Sequence, residues 1–117
     1  MNYFKELKVW QKAVEVVTEI YQMTNSFPRE EQFGIISQIR RCSVSIPSNI
    51  AKGCGRKSNK EFYNFLGIAL GSCFELETQL LISKNIGFIN ENQFDLLESE
   101  IQHIQNMIIK LQNSLDK

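Results

Sequence analysis

Six basic residues and no acidic residue lie between positions 40 and 60, and this segment is the clearest chemical signal in the sequence. Its members are Arg40, Arg41, Lys52, Arg56, Lys57 and Lys60. The chain as a whole has no net charge at pH 7, so the remaining residues carry a matching excess of acids. This asymmetry indicates a basic surface for an anionic partner.

Four polar residues of the basic segment share one face of a predicted helix. Arg41, Ser45, Ser48 and Lys52 follow the spacing i, i+4, i+7 and i+11. Arginine, lysine and hydroxyl groups are the side chains that contact nucleic-acid phosphates. The spacing therefore predicts a nucleic-acid-binding face, for RNA or DNA.

Three further cations cluster at the predicted start of the next helix, namely Arg56, Lys57 and Lys60. Free N–H groups at a helix start attract anions, although Glu61 competes for them here. The alternative interpretation is a solvated face, or cations that pair with Glu75, Glu77 or acids of another subunit. In that case the chain is a scaffold for self-assembly or for a protein partner.

Catalytic and metal-binding patterns are weak. His103 is the only histidine, and Glu100-x-x-His103 forms half of a di-iron motif that requires a second such pair. Cys42, Cys54 and Cys73 show no Cys-x-x-Cys spacing and no nearby histidine. We expect no metal, no cofactor and no enzymatic activity.

An odd number of cysteines without a paired pattern is typical of a reduced, cytoplasmic protein. The first residues mix charges and lack the apolar core of a signal peptide. The longest uncharged stretch, residues 62–74, is shorter than the roughly 20 residues that span a bilayer. We therefore expect no membrane association.

The length of 117 residues, 43% of them apolar, predicts one domain over residues 1–117. A first helix is expected from about Leu7 to Thr24, with an apolar stripe that includes Trp10, Val14 and Tyr21. This stripe is broad for one helix–helix interface, so part of it could face another subunit.

The second helix is expected to begin near Pro28, with Glu30 and Glu31 in its first turn. Isoleucines at helical spacing continue to Ile50. Pro47 removes one backbone hydrogen bond and predicts a kink, with two separate helices as the alternative.

Ser58 predicts the start of the third helix. Gly67 and Gly71 in its interior suggest close approach of another helix. A fourth helix, with Asn90 as its N-cap, carries apolar residues in alternating steps of three and four. Short connections then predict an all-α, antiparallel up-down-up-down four-helix bundle with a proline-kinked second helix.

Several motifs resemble the four-helix-bundle family that is encoded in intervening sequences of bacterial 23S rRNA genes. The most specific motif is Val44-Ser45-Ile46-Pro47-Ser48-Asn49-Ile50-Ala51-x-Gly53-x-Gly55-Arg56. Leu7-x-Val9-Trp10-Gln11-Lys12-Ala13, Glu61-Phe62-x-x-Phe65-Leu66 and Glu75-Leu76-Glu77-Thr78-Gln79-Leu80 also match, so the resemblance covers nearly the whole chain.

This resemblance implies a ring-like homopentamer of four-helix bundles. It also implies kinship with the accessory variability proteins of diversity-generating retroelements, which bind a reverse transcriptase and nucleic acid through a basic surface. No catalytic residues come with the family. Lys52 departs from the pattern, because the family usually has glutamate there, and a lysine would strengthen phosphate binding.

Overall fold

The computed structural model describes residues 3–115, so both ends of the predicted domain, 1–2 and 116–117, lie outside the described residues. Four long helices follow in order: α1 Lys8–Thr24, α2 Ile35–Cys54, α3 Asn59–Asn85 and α4 Glu91–Ser114. Two short 3₁₀ turns cover Phe4–Glu6 and Arg29–Glu31. The described residues contain no strand, which confirms the all-helical class and the four-helix bundle. The kink at Pro47 and the antiparallel order stay predictions.

The core draws isoleucine and leucine side chains from all four helices. Fully buried members are Ile20, Ile39, Ile46, Ile50, Leu66, Leu76, Leu80, Ile101, Ile104 and Ile108. These residues recur at three- and four-residue steps, so each helix presents one apolar stripe to the others. α2 makes its most extensive contacts with α3, and among the pairs of long helices that touch, α1 and α4 share the smallest contact.

Local hydrogen bonds fix the starts of α3 and α4 as the sequence predicts. The Ser58 hydroxyl accepts the backbone N–H of Glu61 at 3.2 Å. Asn90 and Gln93 form a reciprocal capping box, in which each side chain accepts the other residue's backbone N–H. Each cap satisfies donors that have no partner within the helix.

The start of α2 differs from the prediction. Residues 29–31 form a separate 3₁₀ turn, and α2 begins only at Ile35. Gly34 lies between them with φ −105° and ψ −116°, which is far from helical geometry. The alternative of two helices divided at Pro47 is also wrong, because α2 runs without a break through that residue.

The close approach of helices occurs at Gly53 rather than at Gly67 and Gly71. A Cβ atom added to Gly53 would lie 2.6 Å from the Cβ of Phe65 and 2.9 Å from Cδ1 of Phe62. Gly67 and Gly71 are exposed on the outer side of α3, and a Cβ at Gly71 would meet nothing within 4 Å among the described residues. Within one chain, the predicted role of these two glycines is therefore wrong.

Substituting Gly53 with alanine is expected to destabilise the fold by about 1–3 kcal/mol, because the new methyl group would overlap α3. Gly71→Ala is the matched control, since it adds the same group to a helix interior with open space. That variant is expected to gain about 0.5–1 kcal/mol from helix propensity. Urea unfolding of both variants measures the difference, and equal midpoints would contradict the close packing at Gly53.

α3 is apolar on more than one side. By length and composition it could cross a membrane, with a mean hydropathy of 1.4 in its most apolar 18 residues. The core helix of a soluble protein passes the same test, but only 33% of this window is buried within the chain. The outer side of α3 therefore exposes apolar surface that a single bundle leaves uncovered.

Candidate nucleic-acid interface

The basic segment lies on the outer side of α2 and on the connection to α3. Arg41 and Lys52 are exposed, and Ser48 is half-buried between them. Arg41 and Lys52 are eleven residues apart on α2, which places them about 16 Å apart along the axis. The helix thus holds two cations and a hydroxyl group in a row. Their contact with nucleic acid stays a prediction.

Ser45 has a second role that the sequence does not reveal. Its Oγ lies 2.8 Å from Oγ of Ser72 on α3, and it also accepts a hydrogen bond of 2.9 Å from Nδ2 of Asn49. Ser45 therefore links α2 to α3. Any phosphate contact by this hydroxyl must compete with these internal bonds.

Arg40 is tied to the end of α1. Its Nε donates to Oγ1 of Thr24 at 2.9 Å, and its Nη2 donates to the Tyr21 carbonyl and to Oδ1 of Asn25. The guanidinium also lies 4.6 Å from the centroid of the Tyr21 ring. A cation in this place complements the negative end of the α1 dipole. Arg40 therefore serves the fold, and its Nη1 donates to no described residue.

The remaining cations lie at the start of α3. The Arg56 guanidinium stands 4.8 Å from the centroid of the Phe65 ring, which covers one of its faces. Lys57 and Lys60 are fully on the surface. Between residues 3 and 115 the only ion pair joins Lys12 to Glu100 at 3.2 Å, outside the basic segment.

Glu75 and Glu77 are occupied by other groups. Gln79 donates to Glu75 at 3.3 Å. Two amides from α4, those of Gln102 and Gln105, donate to Glu77 at 3.1 and 2.8 Å. The structure therefore does not pair the basic segment with these two acids of the same chain. The cations are left for water or for a partner.

Two aromatic residues lie on the surface near Arg40 and Arg41. Tyr21, a member of the predicted apolar stripe of α1, is not buried in the core, because its side chain is 40% exposed beside Arg40. Phe33, in the turn before α2, is 92% exposed. Phe33 lies three residues before Ile36, in phase with the apolar periodicity of α2, so Gly34 directly after it was the available signal that the ring could leave the core.

The two buried cysteines have unreactive thiols. Burial raises the pKa of both Cys42 and Cys73 to about 12, so their thiols stay neutral and are poor nucleophiles. Cys42 Sγ donates to Oε1 of Gln79 at 3.2 Å. In the described part of the chain, no group of three or more histidine, cysteine, aspartate or glutamate side chains is placed to hold a metal.

Two carboxyl groups meet between α1 and α4, on a cleft of about 430 Å³. Burial, a hydrogen bond to Glu100 and the charge of Glu100 raise the pKa of Glu19 to about 7, while Lys12 opposes the shift. Glu100 is shared between this carboxyl group and the Lys12 ion pair. This cluster carries the main polar interactions between α1 and α4.

The protonation of Glu19 should make stability depend on pH. Its pKa is about 7 in the folded chain against an ordinary value of 4.5, so the folded state binds more protons between these values. The free energy of unfolding contributed by this group therefore decreases as the pH rises through that window. Glu19→Gln should weaken the fall in Tm between pH 5.5 and 8. Glu30→Gln, an exposed carboxyl group that does not act on Glu19, is the control and should retain the fall seen in the wild type.

The fold is a small all-helical bundle in which Arg41, Lys52, Lys57 and Lys60 are exposed. The family model of the 23S rRNA-intervening sequence protein matches residues 5–110, so the chain belongs to that family. The chain is also similar to a solved structure from Bacteroides thetaiotaomicron VPI-5482, described as a protein with unknown function from the S23 ribosomal protein family. The TM-score is 0.84 and the identity 25%, over 91% of this chain and 96% of that one. No curated protein matches the chain.

Proposed function

We propose that this chain is a non-enzymatic, cytoplasmic subunit, one domain per chain, that assembles with itself and binds nucleic acid through its basic side. One observation carries the proposal. Arg41, Lys52, Lys57 and Lys60 are exposed, and none of them forms an ion pair with a residue between 3 and 115. Unpaired cations of one sign on one side attract a polyanion.

RNA, alone or within an RNA–protein complex, is the partner that fits best. The name of the family refers to an intervening sequence of 23S rRNA, which links its members to RNA. The exposed cations of the basic side include three lysines, which contact phosphates as point charges. Contacts to the backbone are therefore expected to dominate, with little preference between sequences.

The test is the salt dependence of binding. Fluorescence anisotropy should measure the affinity for a labelled structured RNA, and for DNA of the same sequence, between 50 and 200 mM salt. Four to six phosphate contacts predict a slope of log K against log salt of roughly −3 to −5. Absence of binding to both nucleic acids at 50 mM salt would refute the proposal.

Self-assembly is supported by the outer side of α3. Exposed Ile68, Phe74, Leu81 and Ile82 lie there beside Gly67 and Gly71, and we call these six residues the outer face of α3. Exposed apolar area of this kind marks an interaction site. Together with the resemblance described above, this favours a homo-oligomer, with a pentamer as the expected size.

The alternative is a protein-interaction scaffold, whose charged sides serve assembly or a protein partner instead of nucleic acid. Reversing Arg41 and Lys52 to glutamate distinguishes the two. A scaffold should change its native mass, whereas a nucleic-acid-binding oligomer should lose affinity for RNA and keep its mass. Light scattering and anisotropy on the same sample give both results.

A further inference from the structure

We propose that a cleft between the end of α1 and the start of α2 binds one unpaired nucleobase, stacked on the ring of Phe33. The cleft has a volume of about 380 Å³, and the argument uses Tyr21, Gln32, Phe33, Ser37, Arg40 and Arg41 from its lining. We call it the Phe33 cleft. The inference rests on the proposed function, because it extends the basic side that would bind the nucleic-acid backbone.

Phe33 contributes almost nothing to the stability of the bundle. Its side chain is 92% exposed, whereas burying a phenylalanine is worth roughly 1.5–3 kcal/mol. Phe33 precedes Gly34, whose backbone is not helical, so its ring does not continue the apolar stripe of α2 that begins at buried Ile36. An exposed aromatic ring next to arginines is the arrangement on which bases of single-stranded nucleic acid stack.

The two arginine side chains of the Phe33 cleft differ in mobility, because only Arg40 is held by hydrogen bonds to other described residues. Arg40 is fixed by three hydrogen bonds and by the Tyr21 ring, so it presents an immobile guanidinium at the edge of the cleft. Arg41 is exposed and begins the row that continues to Lys52. A backbone that follows this row would therefore reach the Phe33 cleft at its end. There the two guanidinium groups can hold phosphates on either side of a stacked base.

The remaining polar groups suit the edge of a base. Gln32 is exposed and offers both a donor and an acceptor, and the hydroxyl of half-buried Ser37 offers the same. Neither Gln32 nor Ser37 makes a side-chain hydrogen bond to a described residue. Two adaptable groups of this kind accept several bases, so we expect only a modest sequence preference.

The base must be unpaired. In a duplex, neighbouring pairs cover both faces of each base, and only phosphates and groove edges are available to a protruding ring. Loops, bulges and single strands expose the base face. The Phe33 cleft would therefore distinguish single-stranded RNA from duplex RNA, while the row from Arg41 to Lys52 would bind both.

The experiment uses the full chain and two RNAs, an unstructured single strand that contains 2-aminopurine and a duplex of the same length. Phe33→Ala should weaken binding of the single strand by roughly 5- to 150-fold and abolish the fluorescence quenching that stacking causes. Binding of the duplex should change less than twofold. Phe33→Tyr should retain affinity and quenching. Leu96→Ala, an exposed apolar side chain on α4 outside the outer face of α3, is the control and should leave both RNAs unaffected.

Each contrary result has a distinct meaning. If wild-type protein binds RNA with the expected salt dependence and Phe33→Ala binds the single strand equally well, the stacking inference is refuted and the proposed function stands. If wild-type protein binds neither RNA, both are refuted. If Phe33→Ala lowers the native mass and weakens both RNAs equally, Phe33 is a protein contact, which also overturns the inference. Because Phe33 is exposed, Phe33→Ala should unfold at the wild-type temperature, so loss of folding is checked directly.

Discussion

Neutralising Arg41, Lys52, Lys57 and Lys60 together to glutamine is expected to weaken RNA binding by on the order of a thousand- to ten-thousandfold at 50 mM salt. Each cation that contacts a phosphate releases counterions, which contributes about 0.7–0.9 to the slope of log K against log salt. Removing four such contacts should therefore reduce the slope by about three. All four side chains are exposed, so the fold should be unchanged.

The control variant has the same change in total charge, made at positions outside the basic segment. Lys5, Lys8, Lys84 and Lys110 lie outside the basic segment, and their joint replacement by glutamine also removes four positive charges. If attraction depended only on total charge, both variants would lose affinity equally. We expect the control to keep most of its affinity and nearly the full slope, as measured by anisotropy across a salt series. An equal loss in both variants would contradict a localised interface.

Replacing Phe74 and Leu81 on the outer face of α3 by aspartate is expected to dissociate the oligomer into single chains of 13.6 kDa. The two side chains are 50% and 42% exposed in the single chain, and they lie seven residues apart on one side of the helix. In an assembly, a carboxylate at either place would be buried without a partner, at a cost that far exceeds the lost apolar contact. Because both positions face outward in the subunit, the bundle itself should still fold.

Sedimentation or light scattering measures this result, and Leu96→Asp provides the comparison. Leu96 is an exposed leucine on α4, outside the outer face of α3. That variant should keep the native mass of the wild type. Wild-type protein that is already monomeric, or a double variant that retains its mass, would refute self-assembly through α3.

Local patterns in the sequence were sufficient to predict the four helices and the starts of α1, α3 and α4. Residues 8–24 form α1 within one residue of the expected start, and α3 and α4 begin directly after the predicted residues Ser58 and Asn90. These features depend on groups within one helical turn, so the information lies in neighbouring residues. The predicted start of α2 was wrong because Gly34 adopts a non-helical backbone conformation that the neighbouring residues did not indicate.

The exposure and the partners of each candidate site residue could not be predicted from local patterns. Arg40 and Arg41 are adjacent and chemically identical, yet one is bound to the end of α1 and the other is free on the surface. Phe33 and Tyr21 are aromatic residues like those of the core, yet both are exposed. Helix periodicity gives the direction of a side chain relative to its own helix, but not what the next helix places opposite it.

By itself, the sequence determined an all-helical chain in which residues 40–60 hold six basic residues and no acidic residue. Tertiary structure decided which of those charges are available and where helices approach closely. It placed Ser45 against Ser72, Gly53 against Phe65, and Glu19 near Glu100, contacts between residues far apart in the chain. Such pairs depend on how whole helices pack, because burial and hydrogen-bond partners are properties of the assembled core and not of the local chain.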